Sequence, residues 1–141
     1  MTPDPTTHFY LIQHQVWARQ DADGCFTQGI TALGVQLSGE IYMCRPKGIG
    51  TLVEQGRSMG VVELAKSIVS VKSPLSGKVV EVNPLLRDEP ERVHLDPYGQ
   101  GWLLRISPSA WATEHKELVS GEDVALAMAE HARLFRLGDA E

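Results

Sequence analysis

The sequence is poor in cysteine: it has only Cys25 and Cys44, which lie in different segments. Two cysteines without a CxxC pair provide neither a disulfide framework nor the paired thiolates of a zinc site. The histidines are scattered without the spacing of metal ligands, so we assign no metal. Both thiols are therefore expected to be reduced.

Long apolar runs are also missing. No segment approaches membrane-spanning length, and residues 1–8 lack the basic and apolar regions of a secretory signal. Basic residues are fewer than acidic ones: the chain has 13 Lys and Arg and 18 Asp and Glu, so its net charge is −5. An acidic chain is a poor partner for nucleic acid or an anionic membrane. The sequence thus predicts a cytoplasmic protein with neither as its main partner.

Recognisable catalytic patterns are absent as well. The glycines at 48–50 lack the rest of a phosphate-binding loop, and no Ser/His/Asp, Cys/His or paired-carboxylate arrangement is discernible. We therefore expect a protein without catalytic activity of its own.

What the sequence does contain suffices for one core. A chain of 141 residues with 43% hydrophobic residues has the size and composition of a single domain. Residues 1–8, with two prolines and several threonines, are predicted to be a flexible lead-in. The domain is predicted to span residues 9–141.

Short β-branched and aromatic runs separated by turns predict a mainly β fold. Segments 16–20 and 25–30 flank an Asp-Gly pair at 23–24, which favours a hairpin. Thr31 can cap a short helix over 32–37. Gly39 would end that helix, and further strands are predicted at 40–44, 51–56, 59–64, 68–71, 78–82 and 101–106.

Two more helices are predicted in the second half of the chain. A brief helix at 88–93 would use Asp88 as its N-cap. A capping sequence at 120–123 opens a longer helix whose apolar residues recur every three or four positions. We expect that stripe to dock on the sheets; its members are Val124, Ala127, Met128, His131, Leu134 and Phe135.

One internal similarity suggests two related half-units. Residues 37–42 and 75–80 share the pattern Leu-Ser-Gly, then a charged residue, then a β-branched residue. Such copies are typical of a small β sandwich or flattened barrel built from two related halves. Ordinary turn chemistry could produce the same short pattern by chance.

One lysine stands between two β-branched runs. Val61 and Val62 precede Lys66, and Ile68 and Val69 follow it, so strands are favoured on both sides. The residues Ala65, Lys66 and Ser67 include no large apolar side chain to bury. The pattern predicts a hairpin with Lys66 at its exposed tip.

Several short motifs follow one another in a distinctive order. They are His14 with Trp17, Gly29-Ile30-Thr31, Gly39-Glu40-Ile41, Gly60-Val61-Val62-Glu63 with Lys66, Ser73-Pro74-Leu75-Ser76-Gly77, Asn83-Pro84 and Asp96-Pro97-Tyr98-Gly99-Gln100-Gly101-Trp102-Leu103. In this order the chain resembles the lipoyl-carrying H proteins of the glycine cleavage system and their H-protein-like relatives. The resemblance covers about His14 to the C-terminal helix.

The resemblance implies both a fold and a cofactor. The fold would be the lipoyl/biotinyl hammerhead, with two small antiparallel sheets in quasi-twofold symmetry, short helices and a C-terminal helix. The cofactor would be lipoic acid, joined to Lys66 by a lipoylating enzyme as N6-lipoyllysine. Glu63 falls where the family has an acidic residue thought to help that enzyme recognise the hairpin. A solvated carboxylate at a strand end is the alternative for Glu63.

A carrier needs a long side chain on a rigid protrusion, because several enzymes must reach its reactive group in turn. Lys66 meets that need. Acylation would remove its ammonium charge and leave a largely apolar arm. The dithiolane at the end of the arm works by thiol–disulfide exchange.

The residues around the lysine depart from the usual glycine-cleavage pattern. The chain has Glu63-Leu64-Ala65-Lys66-Ser67 where the family usually has Glu-Ser-Val-Lys-Ala, and its short helix lacks the usual Asp/Glu-Tyr-Ala-Gln motif. These departures look more like the lipoate-binding proteins of a sulfur-oxidation pathway, whose partner is a heterodisulfide-reductase-like complex. The alternative is a glycine-cleavage carrier of an aminomethyl group. Its partners would be glycine decarboxylase, aminomethyltransferase and dihydrolipoyl dehydrogenase.

Two other classes stay open. Biotin carriers share the hammerhead and its tip lysine, but methionines normally flank that lysine, whereas Ala65 and Ser67 do so here. An unmodified interaction module would use the fold only to bind a partner. For Cys44 a buried packing role is expected rather than one near the cofactor.

Overall fold

The computed structural model describes residues 3, 4 and 6–140, with side chains as far as 135. Parts of the predicted lead-in (residues 1, 2 and 5) and the last residue therefore lie outside the described residues. The strands are β1 His8–Leu11, β2 Val16–Gln20, β3 Phe26–Ile30, β4 Met43–Pro46, β5 Leu52–Val53, β6 Ser58–Glu63, β7 Ile68–Lys72, β8 Gly77–Val82, β9 Leu104–Pro108 and β10 Val119–Ser120. The α-helices are α1 Ala32–Ser38, α2 Arg92–Leu95, α3 Trp111–Glu114 and α4 Val124–Ala140.

The strands form two antiparallel sheets. The larger has seven strands in the order β10-β1-β2-β3-β9-β8-β5, and the smaller has three in the order β4-β6-β7. Side chains from both sheets meet in one core that includes Met59, Leu75 and Ile106, each with no exposed surface. The predicted fold class, mainly β with two antiparallel sheets, short helices and a C-terminal helix, is confirmed.

The first hairpin and first helix form as predicted. The Asp21 amide donates to the carbonyl of Cys25, and Gly24 has a φ of 88°, so the turn between β2 and β3 uses the conformation that glycine tolerates. The Thr31 hydroxyl accepts from the amide of Gly34 and caps α1, which ends at Gly39 with a φ of 92°.

Two predicted strands are displaced by three residues. The strand expected at 40–44 is β4, Met43–Pro46, because the Ile41 amide donates to Nδ1 of His94 rather than to a neighbouring strand. The strand expected at 101–106 is β9, Leu104–Pro108. Before it, the carbonyl of Trp102 accepts from the side chain of Asn83. Long-range side-chain partners therefore set both strand starts.

The brief helix predicted at 88–93 is wrong in its bounds and its cap. A 3-10 helix occupies Pro84–Arg87, and Asp88 ends it instead of beginning a new helix. The side chain of Asn83 caps that 3-10 helix by accepting from the amide of Leu85. The α-helix that follows, α2, starts only at Arg92.

The two Leu-Ser-Gly strings do not form a structural repeat. In residues 37–42 the Leu-Ser pair ends α1 and the rest is loop, whereas in residues 75–80 the glycine begins β8. Gly77 also has a distinct reason to be glycine, since a Cβ there would collide with the backbone carbonyl of Ser107. The shared pattern is local turn chemistry in two different settings.

The long C-terminal helix begins as predicted, after a 3-10 turn at Gly121–Asp123. Its stripe docks only in part: Val124, Ala127, Met128 and His131 are half-buried, but Leu134 and Phe135 are 62% and 51% exposed. Within the described part of the chain, no helix is long and apolar enough to cross a membrane.

The sequence did not predict β1, which begins at His8, the last residue of the expected lead-in. The His8 ring is buried beside Trp17, with ring centroids 5.7 Å apart. Strand β1 pairs with both β2 and β10 and so extends the larger sheet.

Candidate functional site

Strands β6 and β7 form the hairpin that carries Lys66. Glu63 pairs with Ile68 as the last rung of the ladder, and the Leu64 amide donates to the carbonyl of Ser67 over 2.8 Å to close the turn. Strand β6 is the central strand of the smaller sheet and is bonded on both sides, to β4 and to β7. The backbone beneath the turn is therefore held firmly.

Lys66 is exposed at the tip of this hairpin, as predicted. Among the described residues, no carboxylate lies within 4.0 Å of its amine. An exposed amine without an ionic partner is open to acylation from solvent. The backbone that displays it is ordinary, since Gln15 is the only residue other than glycine with positive φ in the described part of the chain.

The outer face of the smaller sheet presents both charged and apolar side chains next to the tip. The side chains of Met43, Glu63 and Ile68 stand side by side across β4, β6 and β7. With Arg45 and Val61 they surround a shallow cavity of about 270 Å³. Glu63 is exposed there and lies three residues before Lys66, so an enzyme approaching the tip could contact both side chains.

The inner face of the same sheet is apolar. Cys44, Val62 and Val69 form one row across the three strands; the first two are buried and Val69 is 42% exposed. Burial raises the pKa of the Cys44 thiol to about 12. A thiol that stays protonated at neutral pH is a packing residue rather than a nucleophile. Cys25 is also free and lies at the β2–β3 hairpin of the other sheet.

A groove of about 370 Å³ runs along β7 below the tip. Its walls are β7, the 3-10 turn Ile12–His14, α1 and α4. Val69, Leu37 and Phe135 give it an apolar lining, and His14 and His131 add two imidazoles. Sequence reasoning missed this groove because segments that are distant in the sequence build it; the signals were His14 among the motifs, and His131 and Phe135 in the helical stripe.

The two histidines of the groove differ in their surroundings. Partial burial, followed by the nearby charge of Lys72, holds the pKa of His14 below its usual value. The ring of His131 packs against that of Phe135 with centroids 4.6 Å apart. Within the described residues, no group of three or more His, Cys, Asp or Glu could hold a metal ion.

Fold and site together define a class of protein: a small β protein of two antiparallel sheets that displays one lysine on a hairpin, as carriers of lysine-bound groups do. The family model described as Glycine cleavage H-protein matches residues 8–131. The chain therefore belongs to the glycine cleavage H-protein family, whose members carry a lipoate on a lysine and are not catalysts.

Individual relatives agree with that assignment. The chain is 39% identical to a glycine cleavage system H protein of Marinobacter nauticus over 131 residues, which cover 93% of this chain and 96% of that protein. It is 34% identical to glycine cleavage system H protein 3 of Aquifex aeolicus over 130 residues, which cover 90% and 81% of the two chains. The crystal structure of a glycine cleavage system H protein from Mycobacterium marinum superposes with a TM-score of 0.72 at 32% identity, covering 86% of this chain and 96% of that one.

The residues present fit a lipoyl group. The Lys66 amine is exposed for amide formation, and the apolar groove beside it suits the largely apolar arm that results. Glu63 lies at the tip, whereas Cys44 is buried and Cys25 belongs to the hairpin of the other sheet.

Proposed function

We propose that the protein is a lipoyl carrier whose arm is attached to Lys66 through an amide bond. The observation that carries the proposal is the position of Lys66, exposed and without an ionic partner at the tip of a hairpin whose central strand is bonded on both sides. When bound, lipoate supplies a dithiol that carries a group between enzymes by thiol–disulfide chemistry. The chain itself presents and orients that arm without catalysis of its own.

Glu63 is proposed to guide the lipoylating enzyme. Its carboxylate is exposed at the end of β6, beside the exposed apolar side chains of Met43 and Ile68. A charged group next to apolar surface gives a docking enzyme both orientation and contact area. Glu63→Gln is expected to slow lipoylation while leaving the folded structure unchanged.

The names of the relatives favour one candidate for the carried group. All the relatives described above are called glycine cleavage system H proteins, which supports an aminomethyl group as the cargo. The partners would then be glycine decarboxylase, aminomethyltransferase and dihydrolipoyl dehydrogenase. The comparisons support this candidate better than the sulfur-oxidation role that the tip residues suggest.

A second candidate is a sulfur-bearing cargo exchanged with a heterodisulfide-reductase-like complex. The specific observation in its favour is the surface around the lysine: Ala65 and Ser67 are exposed beside Lys66, so they alter what a partner touches without altering the core. Glycine decarboxylase and the lipoylated protein, incubated with labelled glycine and bicarbonate, give the decisive assay. Exchange of the carboxyl carbon at the rate of a known H protein supports the first candidate, and its absence supports the second.

The attachment itself is tested by intact-mass analysis after expression in a lipoate-competent host. The wild type should gain the mass of one lipoyl group, and peptide mapping should locate it on Lys66. Lys66→Arg should gain none, whereas the control Lys78→Arg, which changes an exposed lysine of β8, should gain it fully. An unmodified wild type beside a modified known acceptor would refute the proposal.

A further inference from the structure

Another cavity, of about 780 Å³, lies at the end of the smaller sheet opposite the hairpin tip. All three strands of that sheet contribute to its wall or end beside it: Lys47 follows β4, Ser58 begins β6 and Lys72 ends β7. Ser58 and Lys72 are partners in the ladder between β6 and β7. Strand β5 of the larger sheet and the turn after it form the remaining wall. The cavity is therefore lined by both sheets and lies apart from Lys66.

Three cations and one carboxylate line this cavity. The cations are Lys47, Arg57 and Lys72, and the carboxylate is that of Glu54. The local excess of positive charge contrasts with the net charge of −5 of the whole chain. Among the described residues, no carboxylate lies within 4.0 Å of the amine of Lys47 or of Lys72. Two positive charges therefore border the cavity without a neighbouring anion.

The one carboxylate compensates its neighbour only weakly. Glu54 lies 3.8 Å from Nε of Arg57, and the two side chains are 74% and 79% exposed. An ion pair so long and so exposed contributes little, because water solvates both groups. The guanidinium is thus available to a ligand, and its planar fork suits the bidentate contacts that a phosphate group accepts.

Backbone hydrogen bonds fix the three cationic positions relative to one another. The Lys47 amide donates to the carbonyl of Met59 on β6 over 2.9 Å. The Ser73 amide donates to the carbonyl of Arg57 over 2.7 Å, and Ser73 directly follows Lys72. A ligand would therefore have to order side chains but not the backbone, which lowers the entropic cost of binding.

We propose that this cavity binds a phosphate-bearing small molecule through Lys47, Arg57 and Lys72. A phosphate group concentrates negative charge on several oxygens, so one compact group can accept charge-assisted hydrogen bonds from all three cations. The volume lies within the range of about 300–1,000 Å³ that is usual for small-molecule sites, which leaves room for an organic part. Leu52, 76% exposed at the same cavity, provides apolar surface for that part. The inference is independent of the proposed carrier role, because no lining residue belongs to the tip.

Inorganic pyrophosphate is the probe, titrated into the full chain at constant ionic strength while backbone amide NMR shifts are followed. The amides of Lys47, Arg57 and Lys72 should shift together and saturate, with a dissociation constant of about 1 mM or lower. Shifts that do not saturate by about 10 mM, or that spread evenly over the surface, would overturn the proposal.

Charge-matched variants locate the site. Lys47→Gln and Lys72→Gln should each weaken binding by about fivefold, the effect of losing one partly solvated ionic contact. Glu54→Gln should strengthen binding, because Arg57 then has no competing carboxylate. Lys78→Gln is the matched control: it removes the same charge from an exposed lysine of β8 outside the lining and should leave the dissociation constant unchanged. Equal weakening by Lys78→Gln and Lys47→Gln would mean general attraction to the surface and would refute the site.

Two further measurements complete the test. A glutamate-rich peptide with the charge of pyrophosphate represents the other possible occupant, an acidic segment of a partner protein. Weaker binding of the peptide supports the assignment to phosphate, and equal or tighter binding overturns it. Pyrophosphate should also raise the urea midpoint of the wild type more than that of Lys47→Gln, because a ligand of the folded state stabilises that state. Lys47 is exposed, so this variant keeps the test decisive if Lys72→Gln does not fold.

Discussion

Gln28 provides a sharp test of the packing between the two sheets. Its side chain is completely buried, and its Nε2 donates to the Ser73 hydroxyl over 2.9 Å and lies 3.4 Å from the sulfur of Met59. Among the residues that the structure describes, none provides a hydrogen-bond partner for its Oε1. We predict that Gln28→Met, which keeps the unbranched shape and removes both polar atoms, stabilises the protein.

The magnitude follows from two opposing contributions. Leaving a buried carbonyl unsatisfied costs about 1–3 kcal/mol, whereas the lost hydrogen bond contributed about 1 kcal/mol. The Ser73 hydroxyl keeps a hydrogen-bond partner in the variant, because it still donates to the carbonyl of Leu75 over 2.7 Å. The expected net gain in the free energy of unfolding is about 1 kcal/mol. With a urea m-value of about 2 kcal/mol/M, the unfolding midpoint should rise by about 0.5 M.

Gln15 is the matched control, since it is a second buried glutamine but with both ends bonded. Its Oε1 accepts from the Thr31 hydroxyl over 2.6 Å and its Nε2 donates to the carbonyl of Ile12 over 2.8 Å. Gln15→Met should therefore lower the free energy of unfolding by about 1–3 kcal/mol. Urea titrations followed by tryptophan fluorescence compare the two variants. If Gln28→Met is destabilised as much as Gln15→Met, Oε1 has a partner such as a buried water and the reasoning fails.

Two further predictions concern ionisable groups. A hydrogen bond from the Arg105 guanidinium lowers the pKa of Asp23. Burial alone would raise the pKa of Asp21, but hydrogen bonds from Thr27, Arg19 and Arg105 outweigh burial and hold that pKa below its usual value. The lowered pKa values of His8 and His14 should reduce the urea midpoint of every variant alike as the pH drops from about 7 to about 5. The paired carboxylates stabilise the protein only while they are charged, because their folded-state pKa values lie below the unfolded ones, so the midpoint should fall again below about pH 4. The fall should be smaller in Arg105→Gln, and equal falls would contradict the assignment. Burial of Cys44 predicts that a thiol reagent labels only Cys25 in the folded protein and both cysteines in denaturant, as mass spectrometry would reveal; rapid native labelling of Cys44 would contradict it.

The elements that could be predicted from the sequence are those specified by neighbouring residues. The Asp-Gly turn at 23–24, the Thr31 cap and the hairpin around Lys66 each depend on residues a few positions apart. The start of β4 depends instead on His94, which accepts from the Ile41 amide across 53 positions of sequence. No pattern of neighbouring residues indicates such a contact, so the strand predicted at 40–44 began three residues before β4.

The site shows the same division. The tip lysine follows from adjacent β-branched runs, whereas the groove requires β7, α1, α4 and the 3-10 turn to converge. The burial of Gln28 could not be predicted either, because glutamine is mostly an exposed residue and a glutamine in a strand is usually assigned to the solvent face. Its partner Ser73 lies 45 positions away.

The backbone beneath the tip is held by the sheet, whereas the side chains of the tip are exposed to partners. Strand β6 is bonded on both sides, so the turn can change its side chains without loosening the backbone that supports it. Strand β7 lies at the edge of the sheet and exposes Ile68 and Val69, the kind of edge that proteins usually cover. An enzyme docked at the tip would cover Ile68. The fold thus specifies where the lysine stands more tightly than it specifies the cargo, because the residues that would touch a cargo lie on the exposed turn and the surface around it.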